Sequence, residues 1–237
     1  LEAAQPAVDE ICIVDTGSTD DTIAIAKKFG ARVEEMEWPD SFADARNASL
    51  EMATGDWILV LDADEVLRPD NESAIRDVTK KKNAIGAFLS FTNHYDEGRT
   101  LDCFILRLFR NDRSHRFRGA IHEQVMDAVA KTARRENKKL LQTNIGVDHH
   151  GYTTAVRDEK KKDERNLRLF ERAVELDPDN AYLWFKYGDH LRRTDDVEGV
   201  CRAFATACEL VRAMPRRESK ELSYAGEVFA QLALEYV

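Results

Sequence analysis

The stretch Trp57-Ile58-Leu59-Val60-Leu61-Asp62-Ala63-Asp64-Glu65 decides how the chain is read. Five apolar residues in a row make a strand-sized run, and two carboxylates follow it at once. A run apolar on both faces suits a parallel strand covered on both sides, so Trp57 to Leu61 is expected in the middle of a sheet. Residues two apart on an extended chain point the same way, so Asp62 and Asp64 are expected to face one cleft. Neighbouring carboxylates repel, and burial adds to the cost. A hard divalent cation, Mn²⁺ or Mg²⁺, removes that conflict and commonly bridges protein carboxylates to phosphate. Taken alone, Asp-x-Asp after a strand fits a solvated acidic loop equally well.

Towards the N-terminus, Glu10-Ile11-Cys12-Ile13-Val14 reads as another short buried strand. The polar turn Asp15 to Asp20 follows, and Asp20 or Asp21 caps a helix from Thr22 to Phe29 that Gly30 ends. Ala31 to Met36 reads as a second strand, and Phe42 to Ala53 as a helix stopped by Gly55. This β-α-β-α-β order implies an α/β fold with a parallel sheet and helices on its faces. Ligands of such sheets sit beyond the carboxyl ends of the strands, here Asp15 and Asp62-Ala63-Asp64. Asp15 can accept hydrogen bonds from a base or ribose, Gly17 admits close backbone approach, and a helix N-terminus favours an anion. A plain capped turn satisfies the same residues. The segment lacks G-x-G-x-x-G and a phosphate-loop lysine, which argues against a dinucleotide fold and a Walker-type site.

Towards the C-terminus, Ala87 to Thr92 and Phe104 to Phe109 read as an antiparallel pair around a polar loop, Asn93 to Asp102. From Asp158 the pattern is helical. Phe170 and Ala173 recur 34 positions on as Phe204 and Ala207, and Trp184, Tyr187, Gly188 and Leu191 lie between them. That spacing is the tetratricopeptide pattern. The chain therefore divides into an α/β domain, 1–157, and a helical-repeat module, 158–237. Paired helices build a groove that suits a peptide acceptor, a protein partner or self-association.

The bulk numbers narrow the classes. The chain has 237 residues, 43% hydrophobic and 33% charged, with a net charge of −9. An acidic surface repels a phosphate backbone, so nucleic acid is not an expected partner. No window approaches the roughly 18 apolar residues of a membrane span. No basic segment precedes an apolar one after Leu1, so no secretory signal is expected. Cys12, Cys103, Cys201 and Cys208 form no C-x-x-C pair and read as thiols of a reducing compartment, the cytoplasm.

Three segments together resemble family 2 glycosyltransferases: Glu10 to Thr22, Asp40-Ser41-Phe42-Ala43-Asp44-Ala45-Arg46-Asn47, and Asp62-Ala63-Asp64. The resemblance covers roughly residues 9 to 157. It implies a GT-A-type fold, a nucleotide-binding mixed sheet flanked by helices, and a nucleotide diphosphate-sugar donor, a UDP-sugar first. It implies that Asp15, Ser18, Arg46, Asp62 and Asp64 bind the donor, and that Asp64 and Asp62 hold Mn²⁺ or Mg²⁺. Gly119-Ala120-Ile121-His122-Glu123 and His149-His150-Gly151-Tyr152 are similar to segments of a bacterial subgroup that carries tetratricopeptide repeats. That similarity implies His149 as a third metal ligand, with His150 as the alternative. It implies Glu123 as the general base of an inverting transfer to a saccharide, lipid or peptide. Glu123 could instead pair with Arg116 or Arg118, and His122 could bind the diphosphate or orient Glu123. Relatives of this kind carry a further N-terminal strand like Met-Ile-Val-Lys-Asn-Glu, so the sheet is expected to lack a central element. Two other functions compete: a non-catalytic peptide-binding scaffold, and a haloacid-dehalogenase-type phosphohydrolase with Asp62 as nucleophile.

Overall fold

A computed structural model describes residues 1–152, 159–194, 196–215, 226 and 228–231. The chain divides into two compact units, Leu1–Arg118 with Glu123–Arg157, and Gly119–His122 with Asp158–Val237.

In the first unit the strands are β1 (Cys12–Asp15), β2 (Arg32–Glu35), β3 (Trp57–Leu59), β4 (Glu65–Leu67), β5 (Ala84–Tyr95), β6 (Thr100–Arg110) and β7 (Lys139–Tyr152). The helices are α1 (Thr22–Lys28), α2 (Phe42–Met52), α3 (Glu72–Thr79) and α4 (Met126–Glu136). Local chemistry sets several boundaries. Ser41 has extended backbone and its hydroxyl accepts the Asp44 amide at 3.1 Å, which starts α2. Asp20 accepts the Thr22 amide at 3.0 Å, while Asp21, at the N-cap of α1, makes no side-chain cap bond. Gly30 closes the end of α1 with φ +74°.

Two sheets result. β1 and β2 pair in parallel from Cys12 opposite Arg32 to Asp15 opposite Glu35. The second sheet has the order β3-β6-β5-β7-β4, with β5 and β7 parallel and the other pairs antiparallel. The mixed α/β class expected from the sequence is present. The expected position of Trp57 to Leu61 is not: among the described residues β3 is an edge strand paired only with β6, and the second sheet does not continue into β1. Its apolar character has a different cause. Trp57 and Leu59 pack into a core with Ile75 and Val78 of α3, while Ile58 and Val60 pack against Ala43 and Leu50 of α2 and Val129 of α4. Helices on both faces give an edge strand apolar neighbours on each side, and of β3 Ile58 is buried while Trp57 and Leu59 are half-buried. The free edge borders a cavity of about 410 Å³ lined by Cys12, Ile58, Leu59 and Leu61 among others. An antiparallel edge position also disagrees with the phosphohydrolase reading, which needs its acid on a leading parallel strand.

Side chains rather than a ladder tie the β1 segment to the rest. Glu10 Oε1 accepts the Thr54 amide at 2.5 Å, the Thr54 hydroxyl at 2.9 Å and the Gly55 amide at 2.9 Å. Asp9 pairs with Arg76 at 3.1 Å.

In the second unit, α5 (Glu159–Leu176), α6 (Ala181–Leu191) and α7 (Val197–Ala213) follow one another. Asn180 and Asp196 cap the last two by accepting the Leu183 and Gly199 amides. A β-carbon on Gly188 would stand 2.8 Å from the Phe204 ring, so the glycine permits the close approach of α6 and α7. Phe170 and Phe204, the aromatics 34 positions apart, are both fully buried. His122, at φ +51°, places its ring 5.4 Å from that of Phe170. The boundary at 157/158 and the start of a further repeat after 215 lie outside the described residues. Among the described residues no helix is long and apolar enough to cross a membrane.

Candidate active site

The site grows from the turn Asp62-Ala63-Asp64-Glu65 between β3 and β4. The Glu65 amide donates to the Asp62 carbonyl at 3.1 Å, and the Asp62 amide donates to Glu65 Oε2 at 2.8 Å. The His150 amide of β7 donates to the Asp64 carbonyl at 3.0 Å. A chain closed this tightly does not keep the period-two alternation of a strand, and the two acids part.

Asp62 turns to arginines. Arg46 Nη1 and Nη2 reach its two oxygens at 2.6 and 2.9 Å, and Arg107 Nη2 reaches Oδ2 at 2.9 Å. Burial alone would raise the Asp62 carboxyl; the two guanidiniums override it and hold the group well below the usual carboxylate range. Arg107 Nη2 also donates to Glu65 Oε1 at 2.5 Å. Burial, with the charge of Asp62 added, pushes Glu65 up to about 7 in spite of Arg107.

Arg46 carries a second partner. Its Nε donates to Glu123 Oε1, and its guanidinium lies 5.5 Å from the centre of the Phe117 ring. One planar fork thus joins the start of α2, the Asp-x-Asp turn and the segment before α4. Glu123 pairs here and not with the arginines nearer in sequence. Arg116 donates to the Asp112 and His115 carbonyls, and Arg118 exchanges backbone bonds with Gln124.

Asp64 turns the other way. His149 Nε2 stands 3.5 Å from its Oδ2. His149 Nδ1 lies 2.8 Å from Asn93 Oδ1, while Asn93 Nδ2 donates to the Leu101 carbonyl at 3.1 Å. The Asn93 amide orientation is therefore fixed, its oxygen accepts from His149 Nδ1, and Nε2 is turned towards Asp64. An imidazole nitrogen and a carboxylate at that separation suit a cation between them. Adjacent ligands of one octahedral ion, each at about 2.1 Å, stand roughly 3 Å apart. Gly151 keeps the space clear, because a β-carbon there would overlap the Asp64 carboxylate and stand 2.7 Å from His149 Nε2. The pair fits Mn²⁺ or Mg²⁺, but the expected trio does not assemble: the arginines hold Asp62 away, and among the described residues no three His, Cys, Asp or Glu side chains form a metal-holding group. His150 points to the opposite face of β7, where its ring stacks 4.8 Å from that of His94. There His94 Nε2 stands 2.7 Å from Asp148, and Arg68 grips the same carboxylate twice at 2.9 Å and holds it down at about 2.

Asp15 is buried at the end of β1, and its Oδ2 accepts the Gly17 and Ser18 amides at 3.0 and 2.9 Å. The Ser18 side chain and amide lower its carboxyl below the ordinary value. Gly17, at φ +112°, makes this return of the chain possible. The structure thus joins Arg46, Asp62 and Glu123, joins Asp64 to His149, and joins Asp15 to Ser18 within its own turn.

Arg107 and Glu65 escape the sequence reading. Ala87 of β5 pairs with Leu108 and Phe88 with Leu106, so Arg107 is the extra residue of a bulge in β6. Strict alternation would set it beside Ile105 and Phe109. The available signal was a charge between two leucines in an otherwise apolar strand.

The family model for glycosyl transferase family 2 matches residues 2–158. A TPR repeat-containing protein of Synechococcus elongatus is 34% identical over 204 residues, 85% of this chain and 50% of that protein. The SPbeta prophage-derived glycosyltransferase SunS of Bacillus subtilis is 30% identical over 211 residues, 84% of this chain and 46% of that protein. The chain spans about half the length of these relatives. Among solved structures, S. aureus TarS 1–349 is similar in fold, with a TM-score of 0.58 at 13% identity over 100% of this chain and 84% of that one. The same fragment in complex with UDP-GlcNAc has a TM-score of 0.55 at the same identity and coverage.

Proposed function

The chain belongs to glycosyl transferase family 2, and from that premise we propose that it moves a sugar from a nucleoside diphosphate-sugar to an acceptor, with a divalent cation and with inversion. One observation carries the reading: the single guanidinium of Arg46 gathers Asp62 and Glu123, residues from two segments whose roles were each inferred separately.

Asp64 and His149 would hold Mn²⁺ or Mg²⁺, which when bound offsets the charge growing on the departing diphosphate. Asp62, fixed by Arg46 and Arg107, would orient the donor ribose beside that position. Asp15 and Ser18, on the turn that leaves β1, would contact the nucleobase end. Arg46 engages one oxygen of Glu123 and so sets the carboxylate to take the acceptor hydroxyl's proton as that oxygen attacks the anomeric carbon. A single displacement from the face opposite the diphosphate inverts the centre. The TarS complex with UDP-GlcNAc, alike in fold, makes a UDP-sugar the first donor to try. The catalytic domain would span 1–157 and a tetratricopeptide-like module 158–237; the TPR-named relative and the Gly188–Phe204 contact support the latter. Its groove would receive a peptide acceptor, a partner or a second copy.

The test is a thermal-shift and calorimetric screen of UDP- and GDP-sugars with and without Mn²⁺, followed by release of the nucleoside diphosphate. A cation-dependent rise in Tm that Asp64→Ala abolishes is the expected result. Peptide binding indifferent to Asp64→Ala, with no response to any nucleotide sugar, would establish the scaffold reading instead.

A further inference from the structure

We propose that Arg107, aimed by the bulge in β6, is a positioning residue that clamps the Asp62–Glu65 turn and thereby sets Asp64 for the cation and diphosphate. The inference rests on the donor reading above and adds a residue to it.

The geometry is specific. One nitrogen, Nη2, donates both to Asp62 Oδ2 and to Glu65 Oε1, so a single atom bridges the first and last residues of the turn that carries Asp64. The bridge runs beside the turn's own bonds, Asp62 amide to Glu65 carboxylate and Glu65 amide to Asp62 carbonyl. The Glu65 side chain is 3% exposed and that of Arg107 11%, with the guanidinium 5.5 Å from the centre of the Phe91 ring. Arg107 reaches this place because its own backbone drops out of the β5 register, and bulges re-aim side chains in this way. Its buried Nε has no hydrogen-bond partner among the described residues, an arrangement that burial for stability alone does not favour. Arg46 contacts the same Asp62, but its Nε is committed to Glu123. The two arginines therefore divide the work: Arg46 links the turn to the candidate base, and Arg107 fixes the turn's shape.

The experiment separates a clamp from a counter-charge. In the full-length protein, Arg107→Met takes the cation from Glu65, while Asp62 keeps Arg46, and lowers Tm; combining it with Glu65→Gln removes the uncompensated carboxyl and restores part of the loss. Binding of Mn²⁺ with UDP is then measured by calorimetry, and the bound Mn²⁺ by electron paramagnetic resonance. A clamp predicts affinity at least about 10-fold weaker in the double variant despite recovered Tm, with an altered Mn²⁺ spectrum. It also predicts partial rescue by Arg107→Lys, whose single ammonium keeps the charge and three donors but lacks the planar fork that aims Nη2. Wild-type affinity and spectrum in the double variant would overturn the clamp and leave the donor reading standing. If the unaltered protein binds neither Mn²⁺ with UDP nor Mn²⁺ with GDP, the donor reading falls and takes the clamp with it.

Discussion

Asp62 and Asp64 are separated by one alanine, yet they occupy opposite electrostatic environments. Around Asp62 two guanidiniums compete for one carboxylate, with Glu65 and Glu123 drawing on the same arginines. Around Asp64 an imidazole stands at 3.5 Å and a glycine keeps the gap open. An acid engaged by two arginines serves to hold elements together, and removing it deprives both cations of a shared partner. An acid that faces an imidazole across an open gap has its charge available for something that arrives. Repetition of a residue type in a motif therefore does not mean repetition of a role.

The sharpest way to break this contrast is to neutralise each acid in turn. Asp64→Asn should lower kcat/KM for donor by about 10³- to 10⁴-fold, the scale of several kcal/mol of charge stabilisation, with little change in Tm. Asp62→Asn should also cost about 2–3 kcal/mol of stability in urea titrations, since Arg46 and Arg107 lose their shared partner. Equal stability of the two variants would erase the distinction. Next in size is Glu123→Gln, expected to reduce kcat by roughly 10²- to 10³-fold with donor KM nearly unchanged, read from steady-state kinetics.

The arginine-held side also has a pH signature. Glu65 is raised from 4.5 to about 7, so the folded chain retains a proton that the unfolded chain gives up. Its contribution to stability therefore falls as pH climbs through that window, by about 3 kcal/mol, and Glu65→Gln should flatten the slope in urea melts. Asp62, lowered by its arginines, works in the other sense: its contribution is present above 3.8 and is lost as pH falls below it. The smallest effect belongs to the open side. Gly151→Ala should weaken Mn²⁺ about 10-fold, roughly 1.4 kcal/mol, in calorimetry with UDP present, through crowding of Asp64 and His149.

What the sequence revealed follows from how local each signal is. The β1 turn, helix α2 with Arg46, and the acidic turn are written in contiguous residues whose capping, period and apolar runs have local causes. His149 and Glu123 came from short motif likeness, and their partners, Asn93 and Arg46, lie 56 and 77 residues away. The place of β3 in its sheet is not legible in its residues, because apolar contacts on both faces come from layers of helices, which a single strand does not encode. Arg107 was missed because a bulge breaks the alternation on which strand reading depends.

The attachment of β1 and β2 through Glu10 and Asp9, with no shared ladder to the larger sheet, has a dynamic consequence. Opening that ribbon breaks a few side-chain bonds and one parallel pair, while β5, β6 and β7 can keep their own ladders. Amide hydrogens of Ile13 and Val33 would then exchange through a sub-global opening far less costly than unfolding of the whole unit. The turn bearing Asp15 would move with that ribbon.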